Sequence, residues 1–170
     1  MSEEAKNERR LLVAVDGGGE SMHALSWSLK NLVIENSRDT LILLYVKPPK
    51  EPCNSCTTSG RLLKLDVCKA IDKYSQNVAN HAIERAKKLC EDLQHVKVET
   101  RVENGDPKTV ISEMSEKLNA DILIMGTDGY DGVQRRDFLG SVSNHCSQNV
   151  KCPVLIVKKP GSSSSSDDDF

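Results

Sequence analysis

Short apolar runs that alternate with amphipathic helical segments are the feature that most constrains the fold of this chain. The runs are continuous in hydrophobicity, which is typical of strands buried on both faces. Between them apolar residues recur every three or four positions, as in the segment from Glu20 to Val33, which predicts helices. This alternation predicts an α/β domain with a five-stranded parallel, doubly wound sheet and helices on both faces. Four of the strands are Leu11 to Val15, Thr40 to Val46, Asp121 to Met125 and Pro153 to Val157.

The remaining strand and helices follow from local patterns. Val96 to Val102 alternates apolar and polar residues, which predicts a strand near the sheet edge. The turn "NGDP" places a proline at a helix start, and a last helix is predicted from Ser141 to Val150. A long helix is predicted from Leu63 to Leu93, with an apolar stripe turned toward the sheet. The residues of that stripe are Ile71, Tyr74, Val78, Ile83, Ala86, Leu89 and Cys90.

A length of 170 residues fits one domain, predicted here at residues 10–159. Residues 1–9 are expected to form a flexible arm. Residues 47–62 form a loop longer than most connections, and the Ser/Asp tail at 160–170 is expected to be disordered. Within the long loop, Cys53 and Cys56 have the spacing of half a metal site or of a redox pair. The Pro/Ser/Thr context favours an incidental pair.

The charge balance bears on partners and location. A net charge of -2 gives no basic surface of the kind that nucleic-acid binding requires. No apolar run is long enough to span a membrane, and the polar N-terminal stretch lacks the apolar core of a signal peptide. We therefore expect no nucleic-acid partner and no membrane span, and a cytoplasmic location, with the nucleus as a second one.

Two glycine-rich loops follow strands and so fall at the same edge of a parallel sheet. They are Gly17–Gly19 after the first strand and the loop from Gly126 to Gly140 after the fourth. Glycine lets a backbone approach a ligand closely, and the unpaired amides at a helix start favour an anion. Gly126, Gly129 and the pair Gly140-Ser141 therefore predict a phosphate site. The alternative is that these glycines only shape a strand-to-helix connection.

The stretches "LLVAVDGGGESMHALSWSL" and "ADILIMGTDGY…RRDFLGSVSNHCSQNVKCPVLIVKK" resemble the universal stress protein family, plant type, over residues 10–159. The matching motif is glycine, two residues, glycine, a spacer, glycine and then serine or threonine. The resemblance implies a Rossmann-like fold of the adenine nucleotide alpha hydrolase-like kind. It also implies a homodimer and, in one branch of the family, an adenine nucleotide such as ATP, ADP or AMP.

Site residues carried over from the resemblance fall on both glycine loops. Asp16 is expected beside ribose and adenine, and the backbone of Val46 beside adenine. Gly126 and Gly129 are expected along the ribose and phosphates. The phosphates are expected at the helix start, assisted by Mg or Mn but with no protein metal ligands assigned. The residues expected there are Gly140, Ser141 and Val142.

The last strand is expected to form the dimer interface. Its residues are Val154, Leu155, Ile156 and Val157. The implied function is a stress-response protein that binds an adenine nucleotide and acts as a dimeric regulatory or chaperone-like switch.

This sequence departs from the family motif in three ways. The spacer between Gly129 and Gly140 has ten residues rather than nine, and Asp128 and Asp131 add negative charge to the loop. Gly17–Gly19 replaces a region that is usually more acidic or serine-bearing. The alternatives are therefore a dimeric scaffold that no longer binds nucleotide, or a slow ATPase. No residue is assigned a catalytic role, and at most weak ATP hydrolysis is expected.

Overall fold

A computed structural model of the chain describes residues 8–34, 37–49, 61–127 and 139–160. Strands and helices alternate along this part of the chain, as the sequence predicts, and most boundaries agree within two residues. The elements are β1 (Arg10–Ala14), α1 (Gly19–Asn31), β2 (Thr40–Lys47), α2 (Arg61–Cys90), β3 (Lys97–Asn104), α3 (Pro107–Lys117), β4 (Ile122–Gly126), α4 (Ser141–Asn149) and β5 (Val154–Val157).

The five strands form one parallel sheet with the order β3-β2-β1-β4-β5. The chain first builds outward from β1 through β2 to β3, and then returns to the other side of β1 with β4. The strand order therefore reverses between β1 and β4. This arrangement confirms the predicted doubly wound fold and identifies the point at which such sheets bind ligands.

Helices cover the sheet on both faces, so there is one hydrophobic core on each face. Successive residues of the central strands point alternately into the two cores. Leu11 and Val13 of β1 face the core that α1 and α2 cover. Leu12, between them, faces the core that α3 and α4 cover, together with Ile42 of β2. All four are fully buried. This double burial explains why the central strands are continuously apolar in the sequence.

The edge strands differ from the centre, as predicted for the third strand. β3 exposes Lys97, Arg101 and Asn104 and leaves the residues between them half-buried, because it has a neighbouring strand on one side only. β5 is the opposite edge. The turn before α3 also agrees with its prediction: Asp106 is the N-cap and accepts a hydrogen bond from the Thr109 amide at 3.2 Å, and Pro107 follows it.

The predicted inward stripe of α2 is wrong for four of its seven residues: two lie in the part of the helix that the sheet does not reach, and two, Val78 and Leu89, lie on a side of the helix turned away from the sheet. Ile83, Ala86 and Cys90 are buried as expected, together with Ala79 and Ala82. The other predicted members are exposed, namely Ile71, Tyr74, Val78 and Leu89. For Ile71 and Tyr74 the reason is length: a 30-residue helix extends about 45 Å, whereas an eight-residue strand extends about 27 Å. The sheet therefore covers only part of α2.

At the amino-terminal edge of the sheet, an ion pair holds the start of β1. The carboxylate of Asp39 is 2.6 Å from the Arg9 guanidinium and accepts a hydrogen bond from the Ser37 hydroxyl at 2.8 Å. Arg9 was placed in the predicted arm, of which residues 1–7 lie outside the described residues. Most of the 47–62 loop, including Cys53 and Cys56, and all of the tail except Pro160 also lie outside them.

Candidate functional site

A cavity of about 250 Å³ opens at the carboxyl edge of the sheet, where the strand order reverses between β1 and β4. Asp16, Gly126 and Thr127 follow or end these strands and line it. The first turns of α1 and α4 complete its rim through Glu20, Ser21, Val142 and Ser143. The fold thus brings residues that flank both glycine-rich loops, on the described parts of the chain, to one cavity.

The first loop holds Asp16 in one orientation. Its Oδ1 atom accepts a hydrogen bond from the Gly18 amide at 2.7 Å and another from the Ser21 hydroxyl. Gly17 adopts a φ of 81°, which a residue with a side chain rarely adopts. Both bonds use Oδ1, so the exposed carboxylate presents Oδ2 at the rim. Asp16 therefore has the turn-forming role that its position suggests and also faces the cavity.

Two helices begin at this rim without a side-chain cap. Gly18 is the N-cap of α1 and Gly140 is the N-cap of α4, and neither position supplies a side-chain hydrogen bond to the helix. Ser141 and Val142 are the first residues of α4. The first amides of both helices therefore carry the positive end of a helix dipole toward the same space. This arrangement favours a bound anion.

Gly126 joins β4 to both helices. A Cβ atom at this position would lie 2.7 Å from the backbone carbon and oxygen of Glu20, so only glycine lets the first turn of α1 sit against the end of β4. The Ser143 hydroxyl donates to the Gly126 carbonyl at 3.1 Å. Its side chain is buried. Gly126 therefore has a packing role that is independent of any ligand.

The inner part of the cavity is apolar. Leu44 and Val46 of β2, Met125 of β4 and Pro107 and Ile111 of α3 line it. Val46 is half-buried at the end of its strand, where its backbone borders the cavity. A cavity with an apolar interior and a polar, amide-rich rim suits a ligand with a flat apolar group at one end and negative charge at the other.

The charges at the rim are mixed. Glu20 lies in the first turn of α1 and accepts a hydrogen bond from the Thr127 hydroxyl at 3.4 Å. Lys159 approaches the same turn: its ammonium lies 3.4 Å from where a Cβ of Gly19 would be. An ammonium beside the positive end of a helix is unfavourable until an anion neutralises it. On the face of the sheet that α1 and α2 cover, burial and then the charge of Asp16 raise the pKa of Tyr45.

The structure brings six of the seven predicted site residues to this edge. Asp16, Val46, Gly126 and Val142 line the cavity, and Gly140 and Ser141 begin the helix beside it. The seventh, Gly129, lies outside the described residues, as do Asp128, Asp131, Arg135 and Arg136.

Sequence reasoning missed Glu20, Ser21, Thr127, Pro107 and Ile111 as lining residues. Glu20 and Ser21 could have been predicted from the sequence, because the first helical turn after a glycine loop that follows a strand faces this edge. No sequence pattern marks the α3 residues Pro107 and Ile111 as part of the cavity.

These features place the chain among the doubly wound α/β proteins whose ligand site lies beyond the carboxyl ends of the strands, at the reversal of strand order. The sequence also matches the universal stress protein family over residues 8–158. The chain belongs to that family.

Curated relatives carry the same family name. Over 90 residues the chain is 39% identical to a universal stress protein of Methanocaldococcus jannaschii, a match that covers 53% of this chain and 52% of the relative. The chain thus spans about half the length of that relative. It is 28% identical over 152 residues to putative universal stress proteins of Staphylococcus aureus, covering 88% of this chain and 84% of the relative. These archaeal and bacterial relatives give no support to the plant-type assignment.

Solved structures show the same fold. The hypothetical protein MJ0577 superposes with a TM-score of 0.70 at 24% identity, covering 91% of this chain and 98% of the other. A universal stress protein family protein of Arabidopsis thaliana with AMP bound gives a TM-score of 0.67 at 22% identity, covering 94% and 97%. A universal stress protein in complex with cAMP gives 0.57 at 21% identity, covering 88% and 96%.

Proposed function

We propose that this chain binds an adenine nucleotide at the carboxyl edge of its sheet and acts as a dimeric regulatory or chaperone-like switch in the stress response. The observation that carries the proposal is the pairing of two uncapped helix starts, at Gly18 and Gly140, over one cavity with an apolar interior. Two solved relatives of the same fold support it, one with AMP bound and one in complex with cAMP.

In the proposed complex the base lies in the apolar part of the cavity beside Val46. The ribose lies near Asp16, whose Oδ2 atom is the acceptor presented at the rim. The phosphates lie at the start of α4, at Gly140, Ser141 and Val142, with Gly126 and Gly129 along their path. Backbone amides supply most of the binding, because they are fixed in place before the ligand arrives and lose little entropy on binding.

The rim charges favour a ligand with few phosphates. Asp16 and Glu20 are the charged side chains that line the cavity in the described part of the chain. Lys159 and Arg85 approach the first glycine loop from outside that lining, and Arg85 is bonded to the Gly17 carbonyl. Each added phosphate increases the repulsion from Glu20. We therefore propose that AMP and ADP bind more tightly than ATP in the absence of a divalent cation.

A divalent cation would be bound mainly by the nucleotide. In the described part of the chain, no three His, Cys, Asp or Glu side chains gather as a metal site. Mg²⁺ is commonly held by one or two carboxylates together with substrate phosphates, and Asp16 and Glu20 fit that role. The cation would supply charge neutralisation, and these two carboxylates would orient it.

The dimer is proposed to form through β5. This strand is a sheet edge, so one side of its backbone has no neighbour within the sheet. Val154, Leu155 and Ile156 are only half-buried, although they are apolar. An edge of this kind is suited to pairing with a second copy.

A scaffold that no longer binds nucleotide is the alternative, and the carboxylates of Asp16 and Glu20 at the rim favour it. Isothermal titration calorimetry with AMP, ADP and ATP, each with and without Mg²⁺, distinguishes the two. The nucleotide proposal expects saturable binding. It is wrong if heats stay at the level of dilution for all three nucleotides.

A variant makes the assignment residue-specific. Gly140 has a φ of -57°, so Gly140→Val is tolerated by the backbone but places a branched side chain at the phosphate position. We expect the affinity to fall by about tenfold or more. Gln148→Val, which places the same residue at the exposed far end of α4, is the control and should bind normally.

The location of the protein in the cell and its hydrolysis of ATP are separate parts of the proposal. Among the described residues no helix is long and apolar enough to cross a membrane. The cytoplasm, with the nucleus as a second location, remains a prediction, and tagging with fluorescence microscopy tests it. Weak ATP hydrolysis is tested by phosphate release, with Gly140→Val as the blank.

A further inference from the structure

The first half of α2 extends beyond the carboxyl edge of the sheet. Gly17, just past β1, lies level with Ala82 and accepts a hydrogen bond from Arg85 through its carbonyl, at 2.9 Å. Lys47, the last residue of β2, donates to Gln76 at 2.8 Å. The helix residues before Gln76 therefore project past the strands, over a length of about 20 Å.

An apolar row runs along this projecting part and continues to Val78, just past Gln76, and we call it the α2 stripe. Its members are Val67, Ile71, Tyr74 and Val78, whose side chains are 57%, 60%, 72% and 37% exposed. Their spacings of four, three and four place them on one face of the helix. The same spacing is the a/d pattern of a coiled-coil seam. Covering the sheet does not account for the α2 stripe, because the buried face of α2 is a different one.

A second helix is the natural cover for such a stripe. A projecting helix of this length is only marginally stable in water by itself, since most helical stability in proteins comes from packing of an apolar face. A seam with spacings of three and four accepts the side chains of another helix between its own.

We propose that the α2 stripe pairs in an antiparallel arrangement with the α2 stripe of a second copy of this chain. A two-fold axis between Ile71 and Tyr74 places Ile71 against the partner's Tyr74 and Val67 against the partner's Val78. Each layer then combines a smaller and a larger side chain or two valines. The stripe is therefore complementary to itself, as an isologous interface requires.

The residues that flank the α2 stripe are compatible with this pairing. On one side lie Cys68 and Ser75, and on the other lie Ala70 and Asn77. All four are small and uncharged. Two copies therefore approach closely without bringing like charges together, which would oppose association.

The packing of the second half of α2 against the rest of the domain favours the antiparallel direction. Arg85 lies seven residues after Val78, on the same face as the α2 stripe, and there it is bound to the Gly17 loop. A parallel partner helix would run into that loop of the first copy. An antiparallel partner centred between Ile71 and Tyr74 overlaps residues 61–84, so only the first turn of the partner helix reaches the level of that loop, and the two sheets lie at opposite ends.

This contact is distinct from the proposed β5 interface and does not rest on nucleotide binding. α2 covers β2 and β3, whereas β5 is the far edge of the sheet. The four side chains of the α2 stripe present less surface than a standard interface buries, so we expect a weak, concentration-dependent step. If both contacts form, dimers associate further.

Sedimentation equilibrium of the full chain over a wide concentration range tests the proposal. The weight-average mass should rise with concentration, and Tyr74→Glu should raise the dissociation constant of that step by more than about tenfold, because it buries a charge in the seam. Lys69→Glu is the control: this exposed side chain lies on the opposite face of the same segment and should leave the step unchanged. Circular dichroism confirms that each variant folds.

Three results would overturn the proposal. One is a wild-type mass that is constant over the whole range, which would point to a different protein as the partner. The second is an unchanged dissociation constant in Tyr74→Glu. The third is an equal loss in the Lys69→Glu control. The same measurements on Leu155→Glu, at β5, separate this step from the β5 contact.

Cross-linking tests the direction of the helices. In a Cys53→Ser/Cys56→Ser background, Ser75→Cys is expected to link to the partner's Cys68 through a short bismaleimide. Cys90 and Cys146 are buried, and burial raises the pKa of both thiols, that of Cys90 to about 11, which slows their reaction. In a parallel pair, residue 75 of one copy and residue 68 of the other would lie on opposite flanks of the contact and would not be linked. Asn80→Cys, on the far face of the helix, is the control. Absence of the link between Ser75→Cys and the partner's Cys68 rejects the antiparallel arrangement.

Discussion

The two edges of the sheet treat their carboxylates in opposite ways. At the amino-terminal edge, Asp39 is 1% exposed and bonds to Arg9 and Ser37. At the carboxyl edge, Asp16 and Glu20 remain accessible beside two helices that lack side-chain caps. The Asp39 carboxylate is therefore satisfied within the protein at one edge, whereas Asp16 and Glu20 are left accessible at the other. If the proposed nucleotide site is correct, changes at the two edges should separate stability from binding.

Removing the Asp39 carboxylate should give the largest effect on stability. Asp39→Ala removes the carboxylate that accepts from Arg9 and Ser37 and leaves the partly buried Arg9 charge without its counter-ion, although Arg9 still donates to the Leu32 carbonyl and Ser37 to the Ile34 carbonyl. We expect a loss of about 3 kcal/mol in the free energy of unfolding. Chemical denaturation measures it. Nucleotide affinity should not change, because the cavity lies at the other edge. A parallel loss of affinity would contradict the separation of the two edges.

Gly126→Ala should affect both stability and binding. The added Cβ meets the Glu20 backbone at 2.7 Å, so α1 must shift, at a cost of about 2 kcal/mol. The shift also moves a wall of the cavity, and nucleotide affinity should fall. Denaturation and calorimetry on the same preparation measure the two effects. Wild-type stability in the Gly126→Ala variant would show that the junction is looser than the structure indicates.

Lys159 should contribute only to binding. Lys159→Ala removes the ammonium beside the first turn of α1 and should weaken nucleotide binding by about fivefold, or roughly 1 kcal/mol. Lys158→Ala, the adjacent exposed lysine, is the matched control. Equal effects of the two variants would indicate a general charge effect.

In the absence of a divalent cation, Glu20→Gln should strengthen binding by about two- to threefold, and more for ATP than for AMP, because it removes repulsion from the phosphates. Glu116→Gln, on α3 and ion-paired with Lys151, is the control for the change in net charge. A uniform gain for all nucleotides would argue against a position near the terminal phosphate.

The pH dependence of stability should come from the amino-terminal edge. Burial acts to raise the pKa of Asp39, but hydrogen bonds from Arg9 and Ser37 and the charge of Arg9 outweigh it and lower the pKa below 3.8. The stabilisation is therefore complete above about pH 4 and is lost as the pH falls through the lowered pKa. The stability difference between wild type and Asp39→Asn should shrink below pH 4.

The fold was predictable because double burial makes each central strand a continuous apolar run, and because glycine and proline mark the helix starts. β1 and β4 show the first pattern, and Asp106-Pro107 shows the second. The exposed part of α2 was not predictable, because an apolar stripe with helical spacing does not state which surface covers it. The sheet ends near Gln76, and only the structure shows this.

The site was predictable where it depends on backbone. Glycines and helix starts are visible in the sequence, and they mark Gly126, Gly140 and the residues that follow. The side chains that approach from elsewhere in the chain left no local pattern. Lys159 reaches the first turn of α1 from beyond β5, and Ile111 reaches the cavity from α3. Only the folded arrangement relates them to the site.

The hydrogen bond from Arg85 to the carbonyl of Gly17 fixes α2 to the first glycine loop. This contact lies near Ala82, beside the loop that carries Asp16, and the projecting half of the helix extends away from it. From Ala82 to Leu65 the helix is about 25 Å long, so a tilt of only about 5° at the loop displaces the helix tip by about 2 Å. A small tilt of α2 at the first glycine loop would thereby give a larger displacement of the α2 stripe.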